Sequence, residues 1–395
     1  MRTLMFCVLV LSASIATATP PGFVKSTIPL SGTPVGLAFD AEGALYALEG
    51  ASFGSNDAIL RAFLPNGTPN GSFPIEGDDS GNFFAGGMAY DPIGDQILIS
   101  DNTADGRLYT VSKTGAQHTL ATGLAGIAGI AVRTTGEIFV STAPFGSPGA
   151  VVQVDRTTGA KTEVLGGLAL GAGLAFDGGD LIVQDAILLP SFETRGRLQR
   201  LPITGTSPLQ FGPAELLLDD MDSGYSVTLD SEGDIYTTGG GGLYQVTGTP
   251  LAEVSVLPAG FSGAMAFDSG TFEKFAGPDG GRLAFAAEGS FGMEDQFVTI
   301  LTPARPGDYN ADGLVDASDY SVWRSAVGTV NLAADGNNDG AVDGADYVLW
   351  RHHLPSAPES PSAAAGANVP EPATTVLMFM ALAAIGALSR RRSLR

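Results

Sequence analysis

The residues whose types and spacing are best suited to chemistry lie late in the chain, where one acidic phrase is written twice. It reads DYNADGLVDASDYSVWR over 308–324 and DGNNDGAVDGADYVLWR over 335–351, with equivalent positions 27 residues apart. Oxygen-bearing side chains fall at loop positions 1, 3, 5, 9 and 12: Asp308, Asn310, Asp312, Asp316 and Asp319, then Asp335, Asn337, Asp339, Asp343 and Asp346. Gly313 and Gly340 stand at position 6. A hard cation such as Ca2+ takes roughly six to eight oxygens, and a loop of about twelve residues encloses it when alternate side chains turn inward and the chain bends sharply at position 6. Leu314 and Ala341, at position 7, would each add a backbone carbonyl. The spacing implies two calcium sites, each closed by an aspartate on the first turn of a following helix.

The EF-hand pattern ends in glutamate, whereas both loops here end in aspartate. That shorter acid, in paired loop-helix units without an entering helix, resembles the type I dockerin module over roughly residues 306–354. The resemblance implies a cohesin-like partner or a partner in a surface matrix, recognised through the helices. Small hydroxylic residues at positions 10 and 11 carry that recognition in many family members. Here those positions are Ala317 and Ser318, then Gly344 and Ala345, so the second copy departs from the pattern.

Composition bounds the elements that must position these loops. A chain of 395 residues with a formal charge of −22 has room for two or three domains. Nucleic-acid binding is excluded, because a phosphate backbone calls for a basic patch and only 20 residues are Lys or Arg. The single cysteine is Cys7, so no disulfide is expected.

Ahead of the acidic loops, residues 19–304 are glycine-rich and alternate apolar with polar side chains. One phrase recurs: an apolar strand ending in an acid, a turn with glycine, a second apolar strand. It appears as GLAFDAEGALYALEG, GMAYDPIGDQILISD, GIAVRTTGEIFVSTA, GLAFDGGDLIVQDA, YSVTLDSEGDIYTTG and AMAFDSGTFEKFAGPDGGRLAFAAEG. The marker positions Asp40, Asp91, Arg133, Asp177, Asp230 and Asp268 are 38 to 53 residues apart, near the period of a four-stranded blade. The last copy is one strand short, and FVKSTIPL at 23–30 precedes the first. A strand lent from the N-terminus would close the ring and hide both sheet edges. The expectation is an all-β six-bladed propeller, with seven blades or paired β-sandwiches as alternatives.

The phrase resembles the NHL-repeat and gluconolactonase-like propellers. That resemblance implies a ligand at one mouth of the central channel, near the ends of the second strands, where Glu49, Asp101, Asn102, Asp185 and Glu288 stand. It further implies a divalent cation there, held by carboxylates and amides. Thr142 and Thr237 take the corresponding places in the third and fifth copies. Histidine- or cysteine-based nucleophilic catalysis is not expected, because the propeller has only His118 and no cysteine.

The chain ends carry addresses. Residues 1–18 combine Arg2, an apolar run and the small triplet Ala16, Thr17 and Ala18, the three parts of a secretory signal peptide. Residues 355–368 form a Pro/Ala/Ser linker. Val369, Pro370, Glu371 and Pro372 then precede an apolar stretch and a terminal arginine cluster. The order resembles the PEP-CTERM sorting signal over 369–395, which implies a helix held in the membrane until an exosortase-type protease cuts near the motif. With the dockerin-like loops, it also resembles planctomycete surface proteins. The whole reads as an exported cell-surface or matrix protein: a binding or display propeller, a dockerin-like module at 305–354 loaded with two Ca2+, and a transmembrane sorting helix. The alternative is a metal-dependent propeller hydrolase or lactonase acting on a sugar-derived substrate.

Overall fold

The computed structural model describes residues 23–50, 58–77, 83, 85–188, 194–258, 264–268, 282–286, 297–303 and 306–354, with short breaks at 66, 104, 145, 207, 230–232, 240–241, 311–313, 330–333 and 337–340. The signal-peptide segment, the linker and the sorting segment lie outside the described residues.

Five antiparallel four-stranded sheets follow one another along the chain. Blade 1 is Thr33–Phe39, Leu45–Gly50, Ala58–Phe63 and Pro69–Ile75. Blade 2 is Ala85–Asp91, Gln96–Asp101, Arg107–Ser112 and Gln117–Ala121. Blade 3 is Ile127–Val132, Ile138–Thr142, Gly149–Val154 and Lys161–Leu168. Blade 4 is Leu170–Asp177, Asp180–Leu188, Thr194–Leu201 and Glu215–Met221, with a small hairpin of Ile203–Thr206 and Leu209–Phe211 inserted before its last strand. Blade 5 is Ser223–Leu229, Ile235–Gly239, Gly242–Thr247 and Ala252–Pro258.

The expectation of six like copies is therefore corrected to five blades made of consecutive strands. The remaining place is filled by a composite sheet drawn from both ends of the propeller segment: Met265–Asp268, Arg282–Ala286, Phe297–Pro303 and, outermost, Phe23–Pro29. Phe23 pairs with Pro303 and Pro29 with Phe297, so the first strand covers the edge that the last would otherwise expose. The innermost strands touch in cyclic order, and that of the composite sheet meets both blade 5 and blade 1.

Alternation along each second strand explains the stacking, because successive side chains point to opposite faces of a sheet. In blade 2, Ile97 and Ile99 pack with Leu48 and Leu60 of blade 1, while Leu98 packs with Ile130 and Val140 of blade 3. In blade 4, Leu181 and Val183 face Phe139 of blade 3, and Ile182 faces Val227 of blade 5. Each of these side chains contributes on the order of 1.5–3 kcal/mol on burial.

After the last strand the chain forms two helices, α1 (Ala317–Ala326) and α2 (Gly344–His353). They pack through Tyr309, Val315, Ala326, Val342 and Trp350. Among the described residues no helix is long and apolar enough to cross a membrane.

Candidate functional site

In all five continuous blades the innermost strand shifts register near its start, between Pro34 and Gly36, Ala85 and Met88, Ile127 and Ile130, Gly171 and Leu174, and Ser223 and Ser226. The bulge turns the strand toward the channel and leaves backbone groups unmatched. Polar side chains on the second strands meet them. The Ser100 hydroxyl donates to the carbonyls of Gly87 and Ala128 at 3.2 and 2.9 Å, and Ser141 Oγ accepts from Gly129 N–H at 2.9 Å.

One place beyond the bulge, paired with Pro34, Ala85 and Gly171, lie Glu49, Asp101 and Asp185. Thr142 takes this place in blade 3 and Gly239 in blade 5; the sequence had pointed to Thr237, which sits two residues earlier. All three carboxylates are buried. Glu49 Oε1 accepts from Ser31 N–H at 2.9 Å, and its Oε2 lies 3.1 Å from Arg61 Nε. Asp185 accepts from the N–H groups of Ala169 and Leu170 at 3.0 Å and pairs with Arg197. Asp101 accepts from Thr103 N–H at 3.2 Å and faces Arg107 in register; burial, and after it the charge of Asp101, pushes the nearby Tyr109 phenol up to about 12. Glu49 and Asp185 tie the start of an inner strand to the third strand of the same blade.

The structure does not gather them. Among the described residues, no three His, Cys, Asp or Glu side chains form a group able to hold a metal ion. Glu288 lies outside the described residues. The described channel wall is made of Val35, Gly86, Ala128, Tyr225 and other uncharged residues, with a cavity of about 350 Å³. A larger cavity of about 960 Å³ opens at the same ends of blades 2 to 4, between Asn102, Thr103, Pro144, Ser147 and Leu170. Its described wall carries no charged side chain. Gly126, in that wall, adopts φ +72°, and a Cβ there would stand 2.2 Å from the Ala143 carbonyl oxygen, so only glycine fits. Among the described mouth residues, Asn102 alone lines this space.

Sequence reasoning missed the partners of the acids, though a signal existed. Blades 1, 2 and 4, which carry the acid on the second strand, carry arginine on the third, in AILRAF, RLYTVS and TRGRLQRL. Blades 3 and 5 carry neither, and their third strands read GAVVQV and GLYQVT.

At the opposite ends of the strands, two of the repeat's marker acids staple neighbouring blades together. Asp40 Oδ1 accepts from Ala44 N–H at 2.8 Å, and Oδ2 lies 2.9 Å from Lys113 Nζ on the outer hairpin of blade 2. Lys113 also pairs with Asp95 and Glu42 and sits 5.6 Å from the centre of the Tyr90 ring. Burial alone would lower its ammonium; the bonds to Asp95, Glu42 and Asp40 win, and its pKa is raised. Asp91 pairs with Arg156 on the outer hairpin of blade 3 at 2.7 Å. Asp177 pairs with Arg200 of its own blade at 2.6 Å.

In the helical module the two acidic copies adopt matching local structure. Asp316 and Asp343 are the helix N-caps, accepting from Ser318 and Ala345 N–H at 2.7 Å. Asp319 returns to the N–H of Asp316 and, across the loop, to that of Asn310, at 2.7 and 3.0 Å. Asp346 does the same with Asp343 and Gly336, at 2.7 and 2.9 Å. Asp308, Asp319, Asp335 and Asp346 are buried, and no Lys, Arg or His occurs within 306–319 or 334–346. The donor set is made only of oxygens, the chemistry a hard divalent cation takes, with the position-12 carboxylates held by backbone N–H groups and no three of the described acids gathered around one point. Asp312, Asn337 and Asp339 lie outside the described residues, whereas Asn310, Leu314 and Ala341 stand on the exposed side of their loops.

Comparison with known proteins adds two findings. The PEP-CTERM protein-sorting motif matches residues 368–393. The chain carries an export and sorting address. No curated protein matches the chain. Among solved structures, a gluconolactonase from Xanthomonas campestris superposes with a TM-score of 0.53 at 15% identity, covering 73% of this chain and 92% of that one. A calcium-binding regucalcin from Agrobacterium tumefaciens gives 0.52 at 19%, covering 72% and 96%. A putative gluconolactonase gives 0.50 at 15%, covering 72% and 93%. At these identities the likeness is one of fold, and it agrees with the ring described above.

Proposed function

We propose that this exported, surface-sorted protein takes a small, neutral, sugar-derived ligand at the strand-end face of its propeller, and that its C-terminal module is a calcium-loaded docking unit. The observation that carries the first part is the cavity of about 960 Å³ whose described wall is uncharged and rich in backbone, hydroxyl and amide groups. The propellers of similar fold are described as gluconolactonases and a calcium-binding regucalcin, which favours hydrolysis of a lactone with the help of a divalent cation over display alone. In that reading Asn102 orients the ligand; no described residue of the wall offers a carboxylate to a cation, so a need for metal is what the titration below decides. Glu49 and Asp185 are held by arginines and backbone N–H groups, so they serve as the frame of the site. Non-catalytic recognition of the same ligand class is the second reading, favoured by that engagement of the acids.

The module's reading rests on its two sets of oxygen donors. Its docking partner would be cohesin-like or part of a surface matrix, and the sorting tail would hold the chain in the membrane until an exosortase-type protease cuts it.

The test is a calorimetric titration of the full chain carrying Asp308→Ala and Asp335→Ala, which removes the first ligand of both loops. Calcium or manganese bound with a stoichiometry near one, together with turnover of aldonolactones that Asn102→Ala lowers about tenfold or more, is the expected outcome. Lactone binding without turnover would leave recognition alone. Absence of both would sink the ligand assignment.

A further inference from the structure

Each helix of the C-terminal module holds the loop of the other copy. Trp350, on α2, donates its indole N–H to the main-chain carbonyl of Asp316 at 2.8 Å. Trp323, on α1, donates its own to the carbonyl of Asp343 at 2.8 Å. Asp316 and Asp343 are position 9 of their loops and the N-caps of α1 and α2. Their main-chain N–H groups are bound by Asp319 and Asp346 at position 12. Each N-cap is thus fixed from one side by its own loop and from the other by an indole contributed by the opposite repeat.

Further bonds make the crossing tighter. The Tyr309 hydroxyl, in loop 1, donates to the Asp346 carbonyl of loop 2 at 2.6 Å. Val342 N–H donates to the Thr329 carbonyl at 3.0 Å, and Gly328 N–H to the Val342 carbonyl at 2.9 Å. The indoles pack with Tyr320 and Tyr347 at ring separations between 5.0 and 5.6 Å. Plain aromatic packing would be satisfied by phenylalanine. An indole N–H is a donor only, and both here are spent on the same functional position of the partner loop.

We propose that Trp323 and Trp350 are crossed positioning residues: each sets the geometry of the calcium loop in the other copy, so that the two loops load as one coupled unit. The proposal rests on the calcium reading given above. Moving the Asp316 carbonyl moves the N-cap, and with it the carboxylates of Asp316 and Asp319 that would close loop 1. Any coupling so transmitted is reciprocal, so filling either loop prepares the other to the same degree.

The test uses the full chain and calcium alone, read by competition with a chelating dye and by helical circular dichroism. Asp335→Ala leaves loop 1 as the working site. In that background Trp350→Phe, which keeps a ring and removes the N–H, should weaken calcium by about 3- to 10-fold, the worth of one hydrogen bond. Trp323→Phe should leave the same site within about twofold. In the Asp308→Ala background the roles exchange. The intact chain gives a second measurement in case a single-loop variant does not fold: wild type should load both ions in one steep step, and Trp350→Phe should split it into two. Equal weakening of both loops by either variant, or no effect of either, would overturn the crossing while leaving the calcium reading intact. A wild-type chain that takes up no calcium at 306–354 would overturn the calcium reading, and the proposal with it.

Discussion

The propeller and the helical module are both built by repeating an acidic phrase, and they put the acid to opposite uses. In the propeller, Asp40, Glu49, Asp91, Asp177 and Asp185 each meet a lysine or arginine from another strand or hairpin. In the module, the loop segments contain no basic residue, and the position-12 acids turn to backbone N–H groups. A carboxylate matched by a guanidinium has little to gain from a cation, whereas one held by amide dipoles in an acid-only loop keeps its full charge for it. Repetition of an acid is therefore weak evidence for binding. What separates frame from site is whether a counter-charge repeats with it.

The largest effect follows from the module's side of this contrast. Excess chelator should remove most of the helical signal of α1 and α2, because clustered carboxylates repel once the cation leaves, while the β signal of the propeller persists. Circular dichroism of the full chain, read against a variant lacking residues 306–354, checks it. Retention of the helical signal in chelator would place the module's acids with those of the propeller.

Next in size is Asp185→Asn. The carboxylate is buried, pairs with Arg197 and accepts from Ala169 and Leu170 N–H. Breaking a buried pair from one side costs about 3 kcal/mol, so the propeller's melting temperature should drop with or without added metal. A variant that is more stable than wild type in metal-free buffer would instead mark Asp185 as a like-charged ligand awaiting a cation.

The ring and the loop-helix repeats were legible because period and glycine placement are local properties. The phrase GLAFD and its copies mark the inner strands, and the closing strand at Phe23–Pro29 was readable from a copy that ended one strand early. The role of the mouth acids was not legible, because a strand end looks the same whether its carboxylate faces a channel or an arginine. Arg61 stands diagonally across the sheet from Glu49, a relation fixed by register and absent from any single repeat. Nor does sequence spacing show that Trp350 reaches back to Asp316; the repeat suggests two independent loops, and the pseudo-symmetric packing crosses them.

A smaller effect is expected at the seam between blades 1 and 2. Lys113→Met removes the one cation shared by Asp40, Glu42 and Asp95, two of which are largely exposed. Solvent screening limits the loss to about 1–2 kcal/mol, and it should shrink as salt is raised. Chemical denaturation of wild type and variant at low and high ionic strength checks it. A loss independent of salt would mean that the lysine stem acts by packing.

The same seam sets the sign of the acid response. The Lys113 bond holds the carboxyls of Glu42 and Asp95 below their ordinary values of 4.5 and 3.8. At Asp91 burial pulls upward, but bonds from Arg156, Gln96 and Gly94 N–H outweigh it and the carboxyl is again lowered. A carboxyl depressed in the folded state contributes stability that is complete above its unfolded value and is lost as pH falls through the folded one. The propeller should therefore keep a level melting temperature above about pH 5 and lose it progressively below about pH 4. In Lys113→Met the cause of two of the three shifts is gone, so the curve between pH 4 and 2 should flatten while its neutral plateau sits lower. Thermal melts across that range decide the point. A variant whose acid limb parallels the wild type would assign the acid loss to other groups and leave the seam as packing alone.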